Sequence, residues 1–313
     1  MPVPETLHAT YAVAFAAPPA DPRELAREQV TRRVAAPLRD LVLGMLDSPM
    51  VTLDLRPAAG FPPLPADLLA AYGAAPAELA AIESASHLLA VRAAYRPGWP
   101  PAHEWATRAI AGSIAEHVVD VFTPQTLTRA EVYRSLPGPD GAVRLTDWML
   151  LPHTAGPRGF WFTTKGLARF GLPELQTENV PPRLLEPWGK LMNGLARRVL
   201  DLWLAELPAG EQRVVVDLPA IVSVSLRDVA AAQGAGEHGS EQASERGLER
   251  GSERGSERAS GRVPREVRVR LNPAASGALT VQAADGGPDR LEALCTGLFG
   301  ASSTGAADLR PCR

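Results

Sequence analysis

Proline limits the length of every element this chain can build. Thirty of its 313 residues are proline. Each one fixes φ, lacks an N–H donor and pushes its predecessor out of the helical region. Short elements joined by stiff loops are therefore expected almost everywhere. Between the prolines the chain is apolar enough to fold. It is 45% hydrophobic and 21% charged, a balance that supports one large domain or two small ones.

The same arithmetic excludes several classes. Mean hydropathy is -0.06, and no run of about 18 apolar residues marks a membrane span. Formal net charge is -3, so no global basic field argues for nucleic acid. Lys165 and Lys190 are the only lysines, so arginine supplies 30 of the 32 basic residues. Outside residues 240–270 these arginines are scattered rather than clustered. Cys295 and Cys312 are too few for a disulfide scaffold. The apolar piece Ala9–Ala17 follows Glu5 and has no Lys or Arg before it, so it reads as a strand and not as a signal peptide. A cytoplasmic location with reduced thiols is the expectation that follows.

Local signals place the elements. Residues 8–16 alternate as a strand. Asp21-Pro22-Arg23-Glu24 opens a helix, with Asp21 as N-cap, Pro22 at N1 and Glu24 reaching back as a capping box. Pro37 splits that helix near Ala36. Strands follow at Val51–Leu55 and at residues 87–95, with two short helices over residues 65–83 divided by Pro76. A helix runs to about Glu116, then a strand over Val118–Phe122. Gly138-Pro139-Asp140-Gly141 signals a turn. Asp147–Pro152 and Gly159–Thr164 read as a hairpin, and residues 182–206 as the clearest helix, with Leu184, Trp188, Leu191, Leu195 and Val199 on one face. Residues 213–227, split by Pro219, and Val263–Leu271 are β-rich. A last helix follows Pro288 and carries Cys295 on its apolar face.

This order implies an α+β fold: a largely antiparallel sheet with helices packed on one face. Residues 87–227 fit an elaborated ferredoxin-like split βαβ arrangement. The expected division is an N-terminal α/β unit at 1–83, a main domain at 84–233, a linker at 234–262, and a strand and helix at 263–313 that complete the main domain. Whether 1–83 stands apart stays open. The linker consists of Gly-Ser-Glu-Arg units. Each glycine costs a helix about 1 kcal/mol, more than the roughly 0.5 kcal/mol a Glu–Arg pair returns. A disordered, charge-balanced loop is expected there.

No P-loop, dinucleotide fingerprint, zincin, CxxC or nucleophile-elbow motif occurs. His103-Glu104 begins like a zincin pair, but Thr107 stands where the second histidine belongs. No cofactor or metal is called for. His117, Asp120 and His153 sit at strand ends and would converge on one sheet edge if those strands pair, which would make an acid–base cluster. Aromatic residues concentrate between Trp148 and Trp203, the expected core. Trp161 takes the opposite strand face from Phe160 and Phe162 and offers a candidate binding platform beside Arg158.

The most specific pattern is Thr163-Thr164-Lys165-Gly166-Leu167 followed by Gly171-Leu172-Pro173-Glu174-Leu175. Lys165 and Glu174 are placed to pair across the turn. With Trp148–Pro152 before it and Val119–Thr126 upstream, this segment resembles a bacterial domain-of-unknown-function family. That family carries a Trp…Thr-x-Gly-Leu…Gly-Leu-Pro-Glu-Leu run in a small α+β domain. The resemblance covers roughly residues 85–205, about 40% of the chain. It implies the fold but no activity, so it transfers no catalytic residue. The expected function is non-catalytic binding of a protein or ligand, as in immunity or regulatory proteins, with Trp161, Lys165 and Glu174 as candidate contacts. The alternative is an acid–base or metal-assisted hydrolase using His117, Asp120 and His153.

Overall fold

The computed structural model describes residues 1–138, 141–207, 213–234, 265–286 and 290–300. The middle of the Gly138–Gly141 turn, nearly all of the low-complexity linker, Pro288 and Cys312 lie outside the described residues. The chain is α+β, with two largely antiparallel sheets. Among the described residues no helix is long and apolar enough to cross a membrane.

The first sheet is built from β1 (Leu7–Phe15), β2 (Val51–Pro57), β3 (His87–Tyr95), β4 (His117–Asp120) and β5 (Gln125–Thr128). Its helices are α1 (Pro22–Arg33), α2 (Leu38–Asp47), α3 (Ala66–Ala71), α4 (Pro76–Glu83) and α5 (Ala102–Ile114). Asp21 caps α1 by accepting from the Arg23 and Glu24 amides at 2.8 and 3.1 Å. Glu24 does not complete a capping box; its carboxylate lies 4.0 Å from Arg27. Pro37 separates α1 from α2, as its missing donor requires.

Strand order is β2-β3-β1-β4-β5. The first four strands follow a β-α-β-β-α-β plan elaborated by α2 after α1 and by α3 and α4 between β2 and β3, and with this strand order they make the ferredoxin-like arrangement. It occupies residues 7–120 and not 87–227. The reason is long-range pairing: Leu89 and Val91 of β3 sit opposite Val13 and Tyr11 of β1, and opposite Leu55 and Leu53 of β2. Residues 1–83 therefore do not close a sheet without β3 and β4. Helices α1, α2 and α5 bury Val30, Val42 and Ile110 against Tyr11, Val13, Leu89 and Val91. The short α3–α4 pair covers the other face, with Leu69 on Ala12 and Val119.

The connection to the second sheet runs through α6 (Arg129–Ser135), where Thr128 and Glu131 cap each other's backbone. The second sheet contains β6 (His153–Gly156), β7 (Gly159–Thr163), β8 (Leu175–Val180), β9 (Ile221–Ser225), β10 (Glu266–Pro273) and β11 (Leu279–Ala283). Order is β6-β7-β8-β11-β10-β9, and β8 runs parallel to β11. Helices α7 (Leu185–Ala205), α8 (Leu226–Ala232) and α9 (Arg290–Phe299) accompany it.

Two local readings shift. The expected hairpin forms, but its first strand starts at His153 and not at Asp147, because a 3-10 turn at Leu145–Asp147 sends Trp148 into the core. Leu226 begins a helix instead of ending a strand, because Ser225 and Asp228 form a reciprocal cap. Trp148, Trp188 and Trp203 are fully buried with Phe162 and Phe170, and α7 lays Leu191, Leu195 and Val199 into the same core as Leu175, Val224 and Val269.

Candidate functional site

His117, Asp120 and His153 do not converge. Side chains alternate along β4, so His117 and Asp120 point to opposite faces. His117 is exposed and its Nδ1 meets Glu78 of α4 at 2.9 Å. Asp120 is wholly buried. His153 belongs to the other sheet, where β6 pairs with β7 and not with β4, and its ring stacks on Phe162 at 5.2 Å between centroids. Among the described residues, no group of three His, Cys, Asp or Glu side chains is placed to hold a metal.

Glu174 does not pair with Lys165. Its carboxylate accepts instead from Thr164 Oγ1 at 2.6 Å, the Gly166 amide at 2.8 Å and the Ala168 amide at 3.3 Å. The Lys165 backbone is engaged with Leu150. Gly166 and Gly171 have φ of 117° and 84°, left-handed values that glycine adopts without a Cβ penalty. Together these groups fold the run Leu167–Phe170 into one 3-10 turn. The Thr-x-Gly-Leu…Gly-Leu-Pro-Glu motif thus acts locally, by aiming Arg169 inward. Trp161 is 44% exposed on the outer sheet face, opposite Thr154.

Arg169 reaches the first sheet. There Tyr11 of β1 and Asp120 of β4 are register partners, and α5 presents Glu104 and Arg108, one turn apart, to the same point. Arg169 donates through Nη2 to both Asp120 oxygens at 3.1 and 3.0 Å, and through Nη1 to Glu104 Oε2 and Tyr11 Oη, both at 3.1 Å. Arg108 donates to Asp120 at 2.9 Å, to Tyr11 Oη at 2.9 Å and to the Asp147 carbonyl at 2.8 Å. The Arg108 guanidinium carbon lies 3.5 Å from the centroid of the Trp148 ring. All five network side chains are at most 1% exposed.

Two guanidinium groups thus face two carboxyls in a medium that penalises any unmatched charge. Burial alone would raise the Asp120 carboxyl, but Arg169 and Arg108 hold it below the usual carboxylate range. Burial does raise Glu104 and the Tyr11 hydroxyl above their ordinary values. Burial alone would lower the Arg169 guanidinium, but Asp120 and Glu104 keep it charged. The cluster is sealed from solvent and densely paired, with Glu104 Oε1 and Arg169 Nε left without a partner among the described residues, which suits a clamp between the two sheets and not a reacting centre.

His103, beside the clamp on α5, approaches the Arg169 carbonyl through Nε2 at 3.3 Å. Burial pushes its pKa down from 6.5 to about 4. Above 6.5 both states are neutral there. Between 6.5 and about 4 the unfolded chain binds a proton that the folded chain refuses, so stability falls as pH is lowered through this window. Chemical denaturation at pH 7 and pH 5 is expected to show that loss. His103→Gln should flatten it, and an unchanged slope in the variant would assign the acid sensitivity elsewhere.

A concave feature forms where α1 passes into α2 and where α6 ends. It is a groove of about 390 Å³ whose walls include Val34, Leu38, Leu41, Trp105, Tyr133 and Leu136. Trp105 follows Glu104 on α5, so the helix that anchors the clamp also fixes the groove wall. Trp105 is 6% exposed, its indole N–H has no acceptor among the described residues, and Trp99 packs edge-on against it at 5.5 Å. Tyr133 Oη contacts Ser113 Oγ at 3.0 Å. Among the described residues, Arg33 is the one charged side chain in the lining. A second hollow of about 190 Å³ lies under α3 and α4, walled by Pro62, Pro63, Leu69 and Leu79; among the described residues it holds no unpartnered buried donor.

Sequence reading missed both features. Glu104 and Arg108 had one signal: they sit i, i+4 as the one carboxylate and the one guanidinium on an alanine-rich helix that also carries Trp105 and Ile110, a composition suited to burial. Comparison with protein-family models, with curated proteins and with solved structures finds no match.

Proposed function

We propose that this protein is a non-catalytic binding module whose ligand sits in the Trp105 groove. The observation that carries this reading is an apolar groove walled by Val34, Leu38, Leu41, Trp105 and Leu136. An apolar pocket with few polar anchors is the usual form of a small-molecule site. The groove volume of about 390 Å³ falls in the range of such sites. The histidines and carboxylates of the hydrolase alternative lie outside the groove lining, which favours binding over turnover.

The test is a fluorescence titration of the full chain with Nile red, a neutral apolar dye. Saturable one-to-one binding with blue-shifted emission is expected. Leu38→Trp and Leu41→Trp, which fill the groove from two positions, should each abolish it while circular dichroism stays unchanged. Absence of saturable binding, or binding unaffected by both folded variants, would sink this reading.

A further inference from the structure

Taking the groove as the ligand site, we infer that its ligand is a small amphiphilic anion: an apolar body carrying one carboxylate or a similar acidic head. The inference rests on the binding reading above and adds the sign of the ligand's charge. The walls supply the apolar part, through Val34, Leu38, Leu41 and Leu136. For a polar head, Arg33 belongs to the lining and is exposed.

Arg33 donates to the Gln29 side-chain oxygen at 2.9 Å and forms no ion pair with a carboxylate among the described residues. On the adjoining α2, Arg39 is committed, 3.6 Å from Asp40. Among the described residues no carboxylate lines the groove. A cationic ligand would find no counter-charge among them, and a neutral one would leave the arginine unanswered. An anion answers Arg33 at the mouth while its body removes apolar wall from water. The occupant is a small molecule and not a peptide segment, because the described lining offers no free strand edge to pair with an extended backbone.

The experiment uses matched probes, octanoate and octanol, each displacing Nile red from the full chain below micelle-forming concentrations. Octanoate is expected to displace the dye about fivefold more effectively than octanol, the scale of one ion pair at a solvent-accessible mouth, and added salt should shrink that preference. Arg33→Gln should remove the preference while leaving octanol displacement unchanged. Arg32→Gln, one residue earlier and outside the groove lining, should preserve it. Equal displacement by the two probes in the native protein overturns the anion assignment while the groove remains a site. Failure of Nile red itself to bind overturns the site reading instead. A preference for octanoate that survives Arg33→Gln also overturns the inference, since another cation would then be reading the head.

Discussion

Arg169→Met is expected to destabilise the protein by about 3–5 kcal/mol, the usual result of removing one partner from a buried ion pair. The physical reason is what stays behind. Asp120 loses both bonds from Nη2, Glu104 loses its cationic partner, and neither carboxyl has access to water. Arg108 still holds Asp120, so one pair survives while Glu104 becomes an uncompensated buried acid. Arg169→Lys should recover little, since an ammonium cannot reproduce a planar fork reaching two carboxyls and Tyr11 at once. Urea denaturation gives the number. A loss below about 1 kcal/mol would mean that the cluster behaves as surface charge and does not clamp the sheets. Asp120→Asn should be comparably harmful, because Arg108 and Arg169 would then share no ionised Asp.

Gly166→Ala is the second large effect, expected at about 3 kcal/mol from two additive sources. A left-handed backbone costs a non-glycine residue roughly 1–2 kcal/mol, and φ at Gly166 is +117°. A Cβ there would also stand 2.5 Å from the Trp148 carbonyl oxygen, 3.0 Å from Thr123 Cγ2 and 3.3 Å from Met149 Cα. Backbone on two sides cannot yield, and overpacking of this kind costs about 1–3 kcal/mol. Gly277 provides the control. Its φ is +83° with nothing within 4 Å of where a Cβ would stand, so Gly277→Ala should lose only the backbone share. Equal losses at the two glycines would show that space at Gly166 is not limiting. Because the same turn aims Arg169, Gly166→Ala combined with Arg169→Met should cost less than the sum of the single changes.

The fold was legible wherever a signal was local. His87–Tyr95 emerges as a strand with the bounds its apolar run suggests, and Pro76 marks the break between α3 and α4 by opening α4 at its first position, after α3 has ended at Ala71. The core aromatics from Trp148 to Trp203 stood out by clustering alone. Short polar elements escaped. Gln125–Thr128 and Arg129–Ser135 have little apolar periodicity, and the reciprocal cap between Thr128 and Glu131 was their one clear mark. The candidate site was less legible than the fold. His117, Asp120 and His153 drew notice because their chemistry is rare in this chain, yet chemistry without pairing gives no proximity. Glu104 entered only as half of an incomplete zincin pair, and Arg108 drew no notice, because what makes them matter is burial beside Asp120 and Arg169.

Sequence by itself determined the type and approximate place of the strongly patterned elements, because proline geometry, capping side chains and the two hydrophobic periods act within a few residues of themselves. It also determined that Gly166 and Gly171 bend the chain, since a positive φ is a property of one residue. Tertiary structure alone decided which strands became neighbours and which charges lost their water. Tyr11 and Arg169 meet across 158 positions of chain. Nothing in either one's neighbours encodes that meeting. It follows from two sheets burying their apolar faces at once, which brings two arginines, two carboxyls and a phenol to the one place where they must satisfy each other.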